Sequence, residues 1–309
     1  MGFAPIFLTG SFVSLSGCVS AWSSRLGNAS VLLIFFLQSK QPQHLNTSAG
    51  LLYWFLLMVR TKTGIQGLDK ALMGGIPEGN IVLLSGGAGT GKSTLAMQFL
   101  MNGASLFGER GLYISTEQDR DELMKAANNF GWKLDDLESK NLVKIAYFDI
   151  TEGNDFLNRV DTLVQNFKPK RIVIDSMTTL TDSLMISGIG KKDAFSMVQI
   201  QETVSPIPRT EKVVAKSILY NLIKKLKHYK VTTLLTSELP EEHKALSADG
   251  ISEFITDGVI VLHYLGIGSA NFRNLQIRKM RYSSHEKDII SYSIASKGIE
   301  IQAEESLEI

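Results

Sequence analysis

Val82-Leu-Leu-Ser-Gly-Gly-Ala-Gly-Thr-Gly-Lys-Ser-Thr-Leu95 decides how this chain is read. An apolar run, Ile81 to Leu84, enters a glycine-rich turn and leaves it in a helix-like stretch from Ser93 to Leu100. Gly86, the four residues Gly87, Ala88, Gly89 and Thr90, and then Gly91-Lys92-Ser93 reproduce the spacing of a P-loop. Each residue type has a reason to be there. Glycines let successive backbone N–H groups curl around phosphate oxygens with no Cβ in the way. Lys92 brings a point charge to the β- and γ-phosphates, and the Ser93 hydroxyl can ligate Mg²⁺. A helix starting near Gly91 adds its N-terminal dipole. Gly86 through Thr94 is therefore the expected binding loop for a nucleoside triphosphate with Mg²⁺. An ordinary strand-to-helix turn would explain the glycines but not the Lys-Ser that follows them.

The chain of 309 residues can hold one large domain, or one domain with an appendage. A formal charge of +1 gives no global attraction to nucleic acid or to an anionic membrane. Cys18 is the only cysteine, which excludes an internal disulfide and fits a reducing compartment, so a cytoplasmic protein is expected.

The average hides a discontinuity. Residues 1–57 hold no Asp or Glu, and the first acidic residue is Asp69. A membrane anchor is one reading, but the runs Val31–Leu37 and Leu51–Val59 fall short of the roughly 20 residues a spanning helix needs. A secretory signal is another. Leu15-Ser-Gly-Cys18 looks like a lipobox, yet no positive segment precedes it. The third reading, which we adopt as the expectation, takes 1–57 as an unstructured leader or a mis-assigned start. The folded domain then runs from Met58 to Ile309, and no membrane partner is expected.

From Met58 on, strand-like and helix-like segments alternate, the pattern of an α/β domain with a largely parallel sheet flanked by helices. Strands are expected at Ile81–Leu84, Gly111–Ser115, Leu142–Phe148, Arg171–Asp175 and Val231–Thr236. Phe156, Val160, Leu163, Val164 and Phe167 recur at helical spacing, as do Val213, Ile218, Leu222 and Leu226. After Gly250 the strands Gly258–Tyr264, Leu275–Met280 and Ile289–Ile294 read as shorter, antiparallel additions to one sheet edge. The stretch from Leu184 to Lys212, with Gly188, Gly190, Pro206 and Pro208, is irregular and reads as either a solvated excursion or a binding loop.

Arg171-Ile-Val-Ile-Asp175 is a buried-strand pattern ending in a carboxylate. An Asp so placed after a P-loop orients Mg²⁺ and its waters through the loop hydroxyl, which makes Ser93 and Asp175 the expected metal residues. The alternative is a cap for the next helix. Glu117 ends the strand after the P-loop helix, within reach of a water aligned on the γ-phosphate, or else it is a first-turn acid of a helix starting near Asp119.

Thr63-Gly-Ile-Gln-Gly-Leu-Asp69, Gly74-Gly-Ile-Pro-Glu-Gly79, the P-loop, Phe130-Gly-Trp132, Ile174-Asp-Ser176 and Lys279-Met-Arg-Tyr-Ser-Ser-His285 together resemble the KaiC-like branch of the RecA-superfamily ATPases. The resemblance covers nearly all of 58–309 and none of 1–57. It implies a RecA-like core that assembles as a homo-oligomeric, hexameric ring with ATP at subunit interfaces. Glu117 matches the family's catalytic glutamate, and Asn129 matches a position beside the adenine or ribose. Lys279 and Arg281 match a pair that reaches a neighbouring subunit's γ-phosphate, and His285 lies in the same strand-turn as a candidate nucleotide contact. A Lys and an Arg two apart on a strand share one face, so both can address one anion. A solvated edge-strand face is the plainer reading of the same pair.

Where relatives carry acids in tandem, this chain has Glu117-Gln118. Ser252-Glu-Phe-Ile-Thr-Asp257 stands where the clock protein's second domain has its phosphoacceptors, so the chain resembles the ATPase half. Three functions remain open. The first is an ATPase driving a signalling switch through an unidentified client. The second is a DNA-binding recombinase or recombination modulator using Lys191, Lys192 and Arg209, although Phe195 is the only stacking aromatic nearby. The third is a nucleotide sensor with negligible turnover.

Overall fold

The computed structural model describes residues 59–148, 156–181, 211–239, 246–267 and 270–301. The chain divides into Met1–Leu57 and Met58–Ile309. All described residues belong to the second unit, so the reading of 1–57 as a leader lies outside them. So does the irregular excursion with Lys191, Lys192, Phe195 and Arg209, save for its last residues.

A short antiparallel pair, β1 (Arg60–Thr61) with β2 (Ile76–Pro77), flanks α1 (Leu68–Ala71). In this entry segment the Asp69 carboxylate accepts from the Thr63 and Gly64 amides and the Thr63 hydroxyl, which fixes the Thr63–Asp69 motif as a closed turn. Then follow β3 (Ile81–Gly86), α2 (Lys92–Phe107), β4 (Gly111–Ser115), α3 (Arg120–Asn129) and α4 (Leu134–Ser139). β5 (Val143–Tyr147), α5 (Phe156–Phe167) and β6 (Arg171–Asp175) continue the alternation. Next come α6 (Glu211–Tyr229), β7 (Thr232–Glu238) and the short α7 (Ser252–Ile255). β8 (Gly258–Ile267), β9 (Ala270–Met280), β10 (Ile290–Ala295) and β11 (Gly298–Ile301) complete the described chain.

The main sheet has the order β11-β10-β9-β8-β3-β7-β6-β4-β5. Every pairing from β5 across to β8 is parallel, and β8 through β11 pair antiparallel. The expected α/β architecture is therefore present, with one correction. Gly258–Tyr264 is neither short nor antiparallel to the core. β8 runs 10 residues and lies parallel to β3. Val259, Ile260, Val261 and Leu262 are all buried, the unbroken apolar run of a strand covered on both faces. The antiparallel extension starts one strand later, at β9.

Alternation along β3 divides the core. Val82 and Leu84 pack toward α2 with Leu95, Phe99 and Leu100. Ile81 and Leu83 face the other way, with Phe156, Val160 and Phe167 of α5 and Leu222 and Leu226 of α6. Those helical stripes are core-facing as their spacing predicts; Leu163 is only partly buried, and the side chains of Val213 and Ile218 lie outside the described ones.

One buried cation ties the P-loop helix to the sheet. Arg171, at the start of β6, has no exposed surface. Its guanidinium lies over the Phe99 and Phe107 rings, 4.6 and 5.3 Å from their centroids. It donates to Phe99 O at 2.8 Å and to Glu109 Oε2 at 2.6 Å. Gly103 makes room for it, since a Cβ there would lie 2.3 Å from Arg171 Nε. Gly103→Ala would gain about 1 kcal/mol of helix propensity. Overpacking against a fixed guanidinium costs about 1–3 kcal/mol and should win. A lower urea midpoint at unchanged m is the expected result; a raised midpoint would show that Arg171 can move aside.

Candidate functional site

β3 delivers Gly86 at the sheet's C-terminal edge, where ligand sites of parallel sheets collect. A Cβ on Gly86 would sit 2.7 Å from both Leu262 O and Thr90 Oγ1, so this position needs glycine for space. Gly89 and Gly91 need it for conformation, at φ 73° and 90°. Gly89 faces open space, a Cβ on Gly87 would meet only Leu239 O at 3.8 Å, and Ala88 and Gly89 are exposed, so the cradle is open to a ligand. Thr90 closes the loop from within. Its side chain is buried and donates to Gly87 O at 2.8 Å, which leaves its backbone rather than its hydroxyl to meet a phosphate. Tyr292 of β10 holds the loop from beneath by donating to Thr90 O at 2.6 Å. Burial pushes its phenol up to about 12, so it remains a donor at neutral pH.

α2 begins at Lys92 with Gly91 as a cap that offers no side-chain oxygen, and its first turn holds no acid. The orphan N–H groups and the dipole are thus left for an external anion. Ser93 and Thr94, half-buried, open this turn. Lys92 Nζ donates to Gly87 O at 3.0 Å, which stretches the ammonium across the loop. Burial lowers its pKa, and the charges of Glu238, Asp175 and Glu117 oppose that shift. Those three carboxylates are the acids gathered on the lysine.

Asp175, the last residue of β6, is 5% exposed. Tyr113 of β4 donates to its Oδ2 at 2.5 Å and Thr236 of β7 to its Oδ1 at 2.5 Å. The carboxylate is therefore braced by both flanking strands and caps nothing. The capping of the turn after it falls to Ser176, whose Oγ accepts from the Thr179 amide at 3.3 Å. The Asp175–Ser176 peptide is cis. Burial and the neighbouring Asp175 hold the Tyr113 phenol well above its usual value, so it stays a donor. Glu117 is exposed and lies outside α3, whose N-cap is Asp119 in a capping box with Glu122. Glu117 Oε1 instead accepts from the Ser176 and Thr179 hydroxyls, the latter at 2.5 Å.

Mg²⁺ takes few protein ligands and fills its octahedron with phosphate oxygens and water. One hydroxyl and one anchored carboxylate fit that habit, and no group of three or more metal-ligating side chains occurs among the described residues.

Other expected residues lie apart from this cluster. Asn129 ends α3 on the surface, beside the stacked rings of Phe130 and Trp132, 4.8 Å apart. His285 Nδ1 bonds the Glu286 carbonyl at 2.7 Å, in a turn that the Glu286 amide fixes to Ala71 O. Lys279 donates to Glu253 O at 2.7 Å, and Arg281 donates to Phe254 O and Asp257 Oδ1 at 3.3 Å each. They do share one face, since the intervening Met280 is buried. That face contacts α7 and Asp257, while the Arg281 side chain stays 42% exposed. Burial, then the Arg281 charge, lowers the Lys279 pKa.

Sequence reading missed Glu238, which pairs with Gly86 in the β3–β7 register. It missed the hydroxyl braces Tyr113 and Thr236 as well. Only strand adjacency reveals them, and adjacency of β3 with β7 is not written in chain order.

A family model described as "ATPase: KaiC" matches residues 61–187 and 192–306. The circadian clock oscillator protein KaiC of a Nostoc species is 30% identical over 275 residues, covering 85% of this chain and 47% of the relative. The protein of the same name from Synechococcus elongatus is 30% identical over 254 residues, covering 79% of this chain and 44% of the relative. The chain thus spans about half the length of the curated relatives it matches. The crystal structure of a KaiC-like protein from Pyrococcus horikoshii superposes with a TM-score of 0.65 at 32% identity, covering 80% of this chain and all of that one.

The braces of Asp175 yield a direct test. Tyr113→Phe keeps the ring packing and removes one hydrogen bond to a buried charge, which should cost about 1–3 kcal/mol in urea unfolding at pH 7. Unchanged stability would mean that Asp175 does not depend on the phenol.

Proposed function

Because the chain belongs to the KaiC family of RecA-like ATPases, we propose that it is a Mg²⁺-dependent ATPase acting at interfaces between copies of itself in a ring, hexameric as in the family resemblance. In this reading Gly86–Thr94 binds the triphosphate, and Lys92 neutralises its β- and γ-oxygens. Ser93 and Asp175 hold the metal and its waters, and Glu117 orients the attacking water. When bound, the metal supplies charge neutralisation between the β- and γ-phosphates. Lys279 and Arg281 act on the neighbour's nucleotide, with His285 of the same strand-turn as a further nucleotide contact and Asn129 beside the adenine or ribose.

One observation carries this reading. Lys279 pairs with Val259, and Val259 pairs with Leu83, three residues short of Gly86 along β3. That offset is about 10 Å along the strand. β9 is also separated from β3 by β8, a further lateral shift of about 9–10 Å. The Lys-Arg pair thus stands at the opposite end of the sheet from its own P-loop, out of side-chain reach. Lys227 and Arg281 already share Asp257 Oδ1, at 3.0 and 3.3 Å, so cations outnumber their local partner. Such a surplus suits an anion brought by another copy. The proposal extends to a regulatory switch tied to assembly, in the cytoplasm, with no circadian role implied.

Arg281→Ala should lower kcat for ATP by about 10³-fold, the scale of an arginine finger. The Kd of a fluorescent ATP analogue should hold steady, and Glu117→Gln should behave alike. Full turnover by Arg281→Ala would end the in-trans reading. Turnover stimulated by single-stranded DNA and falling steeply with salt would favour recombination instead.

A further inference from the structure

Residues 246–257 run as a strut between the two ends of the sheet. The strut starts beside the P-loop. Leu246 O accepts from Ser85 Oγ at 2.5 Å, and the Ala248 amide donates to Ser237 Oγ at 3.3 Å. Ser85 and Ser237 are register partners, each one residue before Gly86 and Glu238. The strut finishes at the far end. The Asp257 amide donates to Ile81 O at 2.8 Å, and the Ile81 amide donates to Asp257 Oδ2 at 3.2 Å.

Glu253 connects these ends within one residue. Asp249 turns the chain back on itself by accepting from the Ile251 and Ser252 amides at 2.6 and 2.7 Å. The turn brings the Glu253 carboxylate onto Ser247 Oγ and onto the Leu246 amide at 3.4 Å. The Glu253 backbone carbonyl meanwhile takes the Lys279 ammonium, and the next carbonyl, of Phe254, takes Arg281. Glu253 is 8% exposed and Ser247 1%. A buried carboxylate needs hydrogen-bond donors, and the Ser247 hydroxyl and the Leu246 amide supply them, so the side chain ties the turn by polar contacts rather than by apolar packing.

We propose that Glu253 is a positioning residue: it couples the strand that feeds the P-loop, through Leu246 and Ser247, to the placement of Lys279 and Arg281 at the other end of the sheet. The nucleotide state of one subunit thereby sets the aim of the cations it presents to its neighbour. The proposal rests on the in-trans reading above. Lys279 and Arg281 touch the reaction in that reading; Glu253 acts only through them.

The test uses the full chain carrying Glu253→Ala or Glu253→Gln. Glu253→Ala should lower kcat about 10- to 100-fold, the scale of a small misplacement. KM for ATP should change by less than about threefold, the sign of an interaction made in the transition state. Glu253→Gln, which keeps an acceptor for the Leu246 amide, should recover most of the rate. Subunit mixing supplies a readout that a merely structural role would not move. Glu117→Gln subunits have inactive sites but intact cations, so adding them to Glu253→Ala subunits should raise turnover above that of either alone. Wild-type kcat in Glu253→Ala overturns the proposal, as does an absent rise when native mass shows mixed assemblies. Should Glu253→Ala fail to fold, Ser247→Ala takes its place in the same assays with the same expectations. Full turnover by Arg281→Ala would instead sink the in-trans reading itself. An inactive Arg281→Ala beside an unaffected Glu253→Ala would sink only the coupling.

Discussion

A carboxylate buried inside a parallel sheet must be answered by donors, and the Tyr113 and Thr236 hydroxyls answer Asp175 from the strands on either side. Much of the site's geometry follows from that requirement. β4, β6 and β7 are cross-braced at their C-terminal ends, so the residues beyond those ends emerge at fixed heights. Thr116 continues the brace, since its hydroxyl accepts from the Ser176 amide at 3.0 Å. Glu117 comes next and is held by Ser176 and Thr179. Glu238 emerges from β7 opposite Gly86. The Arg171 guanidinium performs the corresponding task at the other end of β6, locking α2 against the sheet. A strand braced at both ends sets the P-loop helix and the candidate acids in one frame.

The parts of the fold that were legible in the sequence are those with local causes. Gly111–Ser115 and Arg171–Asp175 are unbroken apolar strands with sharp ends, and the structure has them with the same limits. The P-loop announces itself because close phosphate approach, positive φ and a helix start all demand particular residues in a row. Other features depend on pairing across the chain. β8 read as an antiparallel addition because its neighbours in sequence are antiparallel, while its actual partner, β3, lies far upstream. Thr236 looked like an ordinary strand residue, and Glu238 fell past the expected end of β7. Thr90 adds a detail that the motif does not carry. The motif assigns it to the ligand, but the loop's own packing takes its hydroxyl for Gly87 O.

Lys279 and Arg281 show how the same sequence pattern changes meaning with topology. Spacing alone puts them on one strand face, which suits either a solvated edge or an anion site. The register removes one anion from consideration, a phosphate on the pair's own loop, because β9 returns antiparallel along β8 and brings Lys279 to the level of Leu83 rather than Gly86. A pair so placed cannot serve its own loop, whatever its chemistry. Its contacts with α7 and Asp257 also keep two like charges close together; burial first, and then the Arg281 charge, lowers the Lys279 pKa. That cost is understandable if the pair is poised for a phosphate that this protomer does not supply.

A sheet with its nucleotide loop at one end and its proposed transfer cations at the other faces a mechanical problem. In the proposed ring, each subunit would have to register its own ligand across the strand length before presenting the right face to the next. β3 spans that distance, but a strand buried on both sides has little freedom to move. The segment from Leu246 to Asp257 spans the same distance and is built differently. It is joined to β3 and β7 by hydroxyls, turns on Asp249, and is tied by the polar contacts of the Glu253 carboxylate. Hydrogen bonds of this kind can exchange partners at small cost, whereas a jigsaw of apolar side chains cannot. The rigid strands therefore suit fixing where the site is. The polar strut beside them suits telling the far end what the site contains.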